Sequence, residues 1–421
     1  MPATDMVEEA MPSSSKRQAR TRPEGRTQAP RASLPELVAQ YPVVALVLQG
    51  GGALGAYQCG VYEGLHEAGL RPNWLAGTSI GAINAALIAG NPPDARIARM
   101  REFWETVCEP GGALSWPASA LRGAFAALPQ TPELEAGAAS LSALAALWQG
   151  QRGFFQPRAV SPFILADGSA HATSFYDPAP LRATLERLVD FDRINGDGAV
   201  RLSIGTVEIA TGNVRYFDSH SSRIGPEHVM ASGALPPAFP PVEIEGRAYW
   251  DGGLVSNTPL EYLFEQCARQ DTLALQVDLW SARGPRPKTM MDVLERIKDI
   301  QYSSRTRHAT THATRTQQLR TALTDLIGRL PDGRLPDDLV EAFAPWLDDR
   351  VLNIVHLIYQ AKPHEEPFKD YAFGRIAMQA HWQAGQHDTR LTLAHPQFFA
   401  LPDRDKGFAV HDVHRMAQAP S

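Results

Sequence analysis

A chain of 421 residues can hold one large or two moderate domains and bury a full core, and a net charge of −6 with 20% charged residues excludes a nucleic-acid protein carried by bulk positive charge. Three well-separated cysteines, Cys59, Cys108 and Cys267, exclude a disulfide framework or a cysteine zinc site and suit a reducing compartment. No apolar run reaches the ~18 residues of a membrane span, and the N-terminus lacks the apolar core of a secretory signal.

Residues 1–40 are polar and aperiodic and read as a disordered tail. Its basic cluster (Lys16, Arg17, Arg20, Arg22, Arg26, Arg31) reads as solvated, with a weak tether to anionic lipid as the alternative. Order begins with the continuous apolar run 43–48, the pattern of a strand buried on both faces. The loop Gln49-Gly50-Gly51-Gly52-Ala53-Leu54-Gly55 follows, then a helix predicted over 56–68. Gly60 and Gly64 cost that helix about 1 kcal/mol each relative to alanine, and close packing of helix on sheet is the predicted compensation. The next strand, 74–78, runs into Gly77-Thr78-Ser79-Ile80-Gly81 and a helix that ends at Gly90 before Pro92-Pro93. Strand, glycine loop, helix, strand, serine turn and helix make a right-handed βαβα unit. Both loops then lie at the carboxyl edge of one sheet, so the glycine loop and Ser79 are predicted neighbours.

Residues 91–108 continue helical, with Met100, Phe103, Trp104 and Val107 on one side. From 110 to 173 the chain is rich in Ala, Leu, Gly and Pro and reads as a cap with an apolar underside or as helical filler. Beyond it come a helix over 181–189 and a hairpin of strands 201–207 and 213–217 around Thr211-Gly212. A short helix at 229–233 leads into a proline-dense loop, 234–241. A second hairpin, 242–244 and 248–250, runs directly into Asp251-Gly252-Gly253, followed by a helix over 258–267 and a buried strand over 273–279. The remainder is mostly helical. Val293, Leu294, Ile297 and Ile300 mark one amphipathic segment; Leu319, Leu323, Leu326 and Leu330 mark another. An apolar strand is predicted at 351–359 and a last helix at 373–392. Arg305, His308, His312 and Arg315 form a basic stripe, read as solvated or as meeting lipid phosphates.

Gly-x-Ser-x-Gly between a strand and a helix is the pattern of a nucleophile elbow, with Gly77 and Gly81 leaving room where the two elements close; the plainer reading makes Ser79 an N-cap. A serine alcohol needs a base and donors for an oxyanion. Backbone N–H groups of Gly50, Gly51 and Gly52 suit the second need. Gly50, Gly52 and Gly55 also fit the dinucleotide fingerprint, but that reading needs a carboxylate near the end of the second strand, and Gly77-Thr78-Ser79 supplies none. Asp251, ending a strand before two glycines, is placed to aim a carboxylate into a cleft; the plainer reading is an Asp-Gly-Gly turn. Its ordinary pKa of ~3.9 is too low for a base, and burial beside Tyr249 and Trp250 would raise it. None of the thirteen histidines stands in a comparable motif, and His228 reads as structural.

Together, Gly50-Gly51-Gly52-Ala53-Leu54-Gly55, Gly77-Thr78-Ser79-Ile80-Gly81 and Asp251-Gly252-Gly253 resemble the patatin-like phospholipase family over residues 43–280. The lead-in 231–241 and the trailing Asn257-Thr258-Pro259-Leu260 are also typical of it, and the region after 290 resembles the extension of a bacterial subset. The resemblance implies a three-layer α/β/α fold with a mostly parallel sheet, a catalytic domain over 41–282 and a largely helical extension over 283–421. It further implies a Ser79–Asp251 dyad, an oxyanion hole at Gly50, Gly51 and Gly52, supporting glycines at 55, 77, 81, 252 and 253, and no metal or cofactor. The family usually carries Arg or Lys where Leu54 stands, which leaves any role of that charge open. The expected protein is a cytoplasmic, peripherally acting hydrolase of phospholipid or related acyl esters, acting through an acyl-enzyme, with no nucleic-acid partner. The alternatives are hydrolysis of another ester such as a storage polyester, acyl transfer, or a silent lipid-binding protein.

Overall fold

The computed structural model describes residues 33–109, 148–165, 168–267, 270–331, 335–344, 346–347, 350–360 and 369–416. The basic tail to residue 32 and the larger part of the expected cap, 110–147, lie outside the described residues. The chain begins with α1 (Leu34–Val38), β1 (Val43–Leu48), α2 (Gly55–Glu67), β2 (Trp74–Thr78), α3 (Ile80–Ala89) and α4 (Arg96–Val107). Two short strands, β3 (Gln156–Pro157) and β4 (Tyr176–Asp177), pair with each other apart from the main sheet. Next come α5 (Ala179–Leu188), α6 (Phe191–Ile194), β5 (Arg201–Glu208), β6 (Val214–Asp218), α7 (Pro226–Ser232), β7 (Val242–Ile244) and β8 (Arg247–Asp251). The chain continues through α8 (Leu260–Gln266), β9 (Thr272–Asp278), α9 (Met290–Gly328), α10 (Asp337–Phe343), β10 (Leu352–Ile358), α11 (Arg375–Leu393), β11 (Phe408–Asp412) and α12 (Val413–Met416).

Among the described residues nine strands form one sheet in the order β11-β10-β9-β1-β2-β5-β8-β7, with β6 also paired to β5. The run from β11 to β5 is parallel; β6, β7 and β8 enter antiparallel. Strand β1 sits near the middle and is buried along its whole length. Its alternate residues serve two cores, as the period of two requires. Val44, Leu46 and Leu48 pack with α2, α3 and α11, while Val43, Ala45 and Val47 pack with Leu260, Leu263 and Phe264 of α8 and Ala313 of α9. Helices therefore cover both faces, and the three-layer α/β/α architecture follows.

Four expectations need correction. The glycines of α2 serve helix-on-helix contact rather than helix on sheet: a Cβ on Gly60 would lie 1.9 Å from the Trp382 carbonyl oxygen of α11. The expected disorder stops short of residue 40, because α1 is held by long-range contacts. Val38 is buried, and the nearby Tyr41 hydroxyl donates to the Ala400 carbonyl at 2.9 Å. The two amphipathic segments beyond residue 290 are one continuous helix, and their apolar stripes face outward: Leu294, Ile297, Ile300, Leu319 and Leu326 are all exposed. Finally, β11 joins the sheet as an edge strand that no periodicity announced, because its residues are largely half-buried.

Candidate active site

The parallel register pairs Leu48 at the end of β1 with Gly77 near the end of β2, so the glycine loop and the serine turn leave the sheet side by side. Ser79 has φ 56 and ψ −126, a left-handed backbone that costs a non-glycine residue ~1–3 kcal/mol. The turn is held from outside. The Ser79 N–H donates to Ser232 Oγ at 2.9 Å, and that hydroxyl donates to the Gly205 carbonyl at 2.6 Å. Close approach dictates the flanking glycines: a Cβ on Gly77 would stand 2.4 Å from the Gly81 carbonyl oxygen, and one on Gly81 would stand 2.2 Å from that of Leu48.

Topology brings the carboxylate to the serine. Thr78 pairs with Gly205 in the parallel β2–β5 register, and Asp251 pairs with Thr206 in the antiparallel β5–β8 register. The last residue of β8 therefore arrives beside the elbow. Asp251 is buried, accepts the Gly253 N–H at 2.7 Å, and lies beside the Ser79 hydroxyl, which favours its charged form. Burial pushes its carboxyl up to about 7, against the lowering effect of the Ser79 hydroxyl and the Gly253 N–H.

The three glycines of the loop play different parts. Gly50 is a strut: its N–H donates to the Asn257 carbonyl at 3.2 Å, and its own carbonyl accepts Asn257 Nδ2 at 2.9 Å and Trp280 Nε1 at 2.8 Å. Its N–H is therefore committed elsewhere, a correction to the expectation of three oxyanion donors. The N–H groups of Gly51 and Gly52 have no partner among the described residues. Gly52 adopts φ 56, and the Asp370 carbonyl presses so close that a Cβ there would lie 2.2 Å from it. A buried amide relay backs the loop. Gln49 Oε1 accepts the Leu279 N–H at 2.6 Å, Gln58 Nε2 donates to the Gln49 carbonyl at 2.6 Å, and Asn84 Nδ2 donates to Gln58 Oε1 at 2.9 Å. Leu54 is fully buried in the apolar core.

Above these groups lies an open cleft. Ser79, Asp251 and the three glycines line its floor, with Phe154, Phe155, Tyr176 and Phe239 on one wall and Trp280, Tyr302, Tyr371 and Phe373 on the other. Phe154 and Phe373 meet across it with ring centroids 5.9 Å apart. A smaller pocket of about 260 Å³, with Leu181, Met230 and Val242 in its lining, shares Phe154 and Phe239 with it. Ser232, Asn257, Trp280 and the segment 369–373 were not singled out from sequence. The first two lie in family-like stretches, whereas Asp370 and Tyr371 carry no local signal. His228 is buried away from the cleft, accepting the Gly225 N–H through Nδ1 at 2.9 Å, with its ring against Phe217. His308 and His312 are exposed on α9.

A serine on an elbow, a buried carboxylate and a glycine loop at the carboxyl edge of a mostly parallel sheet define an α/β protein of the patatin type. The chain belongs to the patatin-like phospholipase family: residues 46–264 match its family model, and residues 300–405 match a second model described as patatin phospholipase. A stretch of 46 residues is 56% identical to lysophospholipase nte1 of Aspergillus terreus, covering 11% of this chain and 3% of that protein. A stretch of 82 residues is 37% identical to patatin-like phospholipase domain-containing protein 6 of Mus musculus and of Homo sapiens, covering 18% of this chain and 6% of those proteins. The match thus spans a small fraction of the length of these relatives. Among solved structures, VipD from Legionella pneumophila aligns with a TM-score of 0.33 at 13% identity, covering 90% of this chain and 74% of that one. Human GIVD cytosolic phospholipase A2 in complex with methyl gamma-linolenyl fluorophosphonate aligns with a TM-score of 0.34 at 14% identity, covering 87% and 62%. No helix among the described residues is long and apolar enough to cross a membrane.

Proposed function

We propose that the protein is a serine hydrolase of carboxylic esters in acyl lipids, working through a Ser79–Asp251 dyad. The observation that carries this reading is the meeting of the Ser79 hydroxyl with a buried carboxyl, pushed up to about 7 by burial, at the floor of an aromatic cleft. A base with that pKa is ionised in useful amounts near neutrality and still strong enough to take a proton. Ser79 Oγ attacks the ester carbonyl while Asp251 accepts its proton. The N–H groups of Gly51 and Gly52 receive the negative oxygen of the tetrahedral intermediate. Protonated Asp251 then gives its proton to the departing alkoxide, leaving an acyl ester on Ser79. Water attacks that ester, Asp251 takes the water proton, and the same proton returns to Ser79 Oγ as the fatty acid leaves. The apolar walls suit an acyl chain, which they also shield from water.

Mass measurement of the intact protein after fluorophosphonate treatment tests this, with an aryl ester assay in parallel. A single adduct on the wild type, absent from Ser79→Ala and much slower in Asp251→Asn, is expected. An adduct that persists in Ser79→Ala, or a folded wild type that neither labels nor turns over ester, overturns the reading.

A further inference from the structure

Helix α9 has its polarity reversed. Among the described residues its buried positions are Asp299, Ser303, Ala309, Ala313 and Gln317. Lys369 clamps its inner side, with Nζ 2.9 Å from Asp299 and 3.1 Å from Glu295. Five of its large apolar side chains point the other way, with Ile300 exposed to one side of them: Met290 is 72% exposed, Leu294 50%, Ile297 53%, Leu319 66% and Leu326 59%. At 3.6 residues per turn these five fall on one strip, on the side opposite Glu295 and Asp299. His308, His312 and Arg315, also exposed, fall on the same strip between its two apolar ends. The carboxylates of the helix (Asp292, Glu295, Asp299 and Asp325) all lie off it. Three cations, Arg283, Arg286 and Lys288, are exposed just ahead of its first turn.

We propose that this outer strip is a docking surface for an anionic lipid bilayer, with α9 lying in the plane of the headgroups. Leucine and isoleucine at both ends supply apolar area for the acyl boundary, and the basic middle meets lipid phosphate. A second copy of the chain fits less well. Pairing two such strips puts Arg315 on both, with no carboxylate on either to compensate. The inner side of the same helix carries Tyr302 into the wall of the cleft, so a bilayer on the outer side lies one helix diameter, ~10 Å, from the cleft. This surface does not rest on the ester chemistry.

Flotation of the full chain with phosphatidylcholine vesicles, with and without phosphatidylglycerol, tests the assignment, alongside sedimentation velocity. Wild type and Ser79→Ala are both expected to float with the anionic vesicles and to be released by salt. The double variant Leu294→Asp/Ile297→Asp should lose vesicle binding by about tenfold or more, and Arg315→Glu by less. Both variants change exposed side chains, so an unaltered circular-dichroism melt marks them as folded. Wild type that does not prefer anionic vesicles, or a double variant that binds like wild type, overturns the proposal. So does a wild-type dimer that the double variant turns into a monomer, since a second copy would then cover the strip.

Discussion

Helices α3 and α9 both border the cleft, through Ile80 and Ile83 in one case and Tyr302 in the other, and they are attached in opposite ways. Every residue of α3 is buried, and apart from Asn84 all are glycine, alanine or branched aliphatics. α9 packs only small residues, Ala309 and Ala313, at its middle, and its first turns are held by ions: Lys369 to Glu295 and Asp299, and Lys298 to Asp370 at 2.7 Å. A helix gripped by close packing resists small displacements, because each one opens a void or forces an overlap. A helix tethered through long charged side chains depends on the state of those charges. The proposed nucleophile, Ser79 Oγ, is carried at the head of the packed helix; part of the wall of the cleft hangs from the tethered one.

The comparison can be broken most severely at its packed end. Ser79→Ala should reduce ester turnover by ~10⁴-fold while leaving the melting temperature almost unchanged, measured by aryl ester assay and thermal denaturation. At the tethered end, Lys369→Met leaves two carboxylates beside α9 with one cation fewer. It should cost ~3–5 kcal/mol and speed hydrogen exchange across 290–303 and 369–373. Adding Asp299→Asn should recover part of that loss.

Asp251→Asn sharpens the contrast, since it should abolish turnover yet raise stability. The carboxyl of Asp251 is raised from 3.8 to about 7. Between those values the native state holds a proton that the unfolded chain has released, so stability falls as pH rises through the window and the full cost stands above about 7. Asparagine carries no charge and keeps an oxygen for the Gly253 N–H. The variant should therefore be more stable by ~1–3 kcal/mol on the alkaline side of that window and indistinguishable on the acid side, by chemical denaturation. The mildest effect is on the wild type itself: kcat/KM should climb with pH and level off through an apparent pKa of about 7, the value given by burial. A flat profile from pH 5 to 8 would separate Asp251 from the chemistry.

What could be read in the sequence follows the same division. Ser79, Asp251 and their glycines were legible because their backbone geometry restricts residue choice. Gly77 and Gly81 stand where no side chain fits, and Ser79 holds a left-handed backbone that needs them. Strand β1 was legible because burial on both faces leaves an unbroken apolar run. Asp370 and Tyr371 were not, since their place beside Gly52 arises from pairing between elements distant in the chain and leaves no local period. The outward strip of α9 was visible as a pattern, but its direction was not: apolar spacing predicts a face, and only the buried Asp299 and Lys369 show that it is turned away from the core. Gly50 looked like Gly51 and Gly52, and the commitment of its N–H to Asn257 is a tertiary fact.

The pairing of β10 with β9 also sets an order of events during synthesis. Ser79, Asp251 and the glycine loop leave the ribosome well before the segment that carries Asp370, Tyr371 and Phe373. Until β10 is made, β9 is a bare sheet edge, buried in the finished protein by a strand that arrives late. A chain released early would hold the serine and its carboxylate without Tyr371 and Phe373 of the far wall, and would offer that edge to any other extended chain nearby. Translation must run almost to the last strand before the cleft gains Tyr371 and Phe373 and β9 ceases to be an edge.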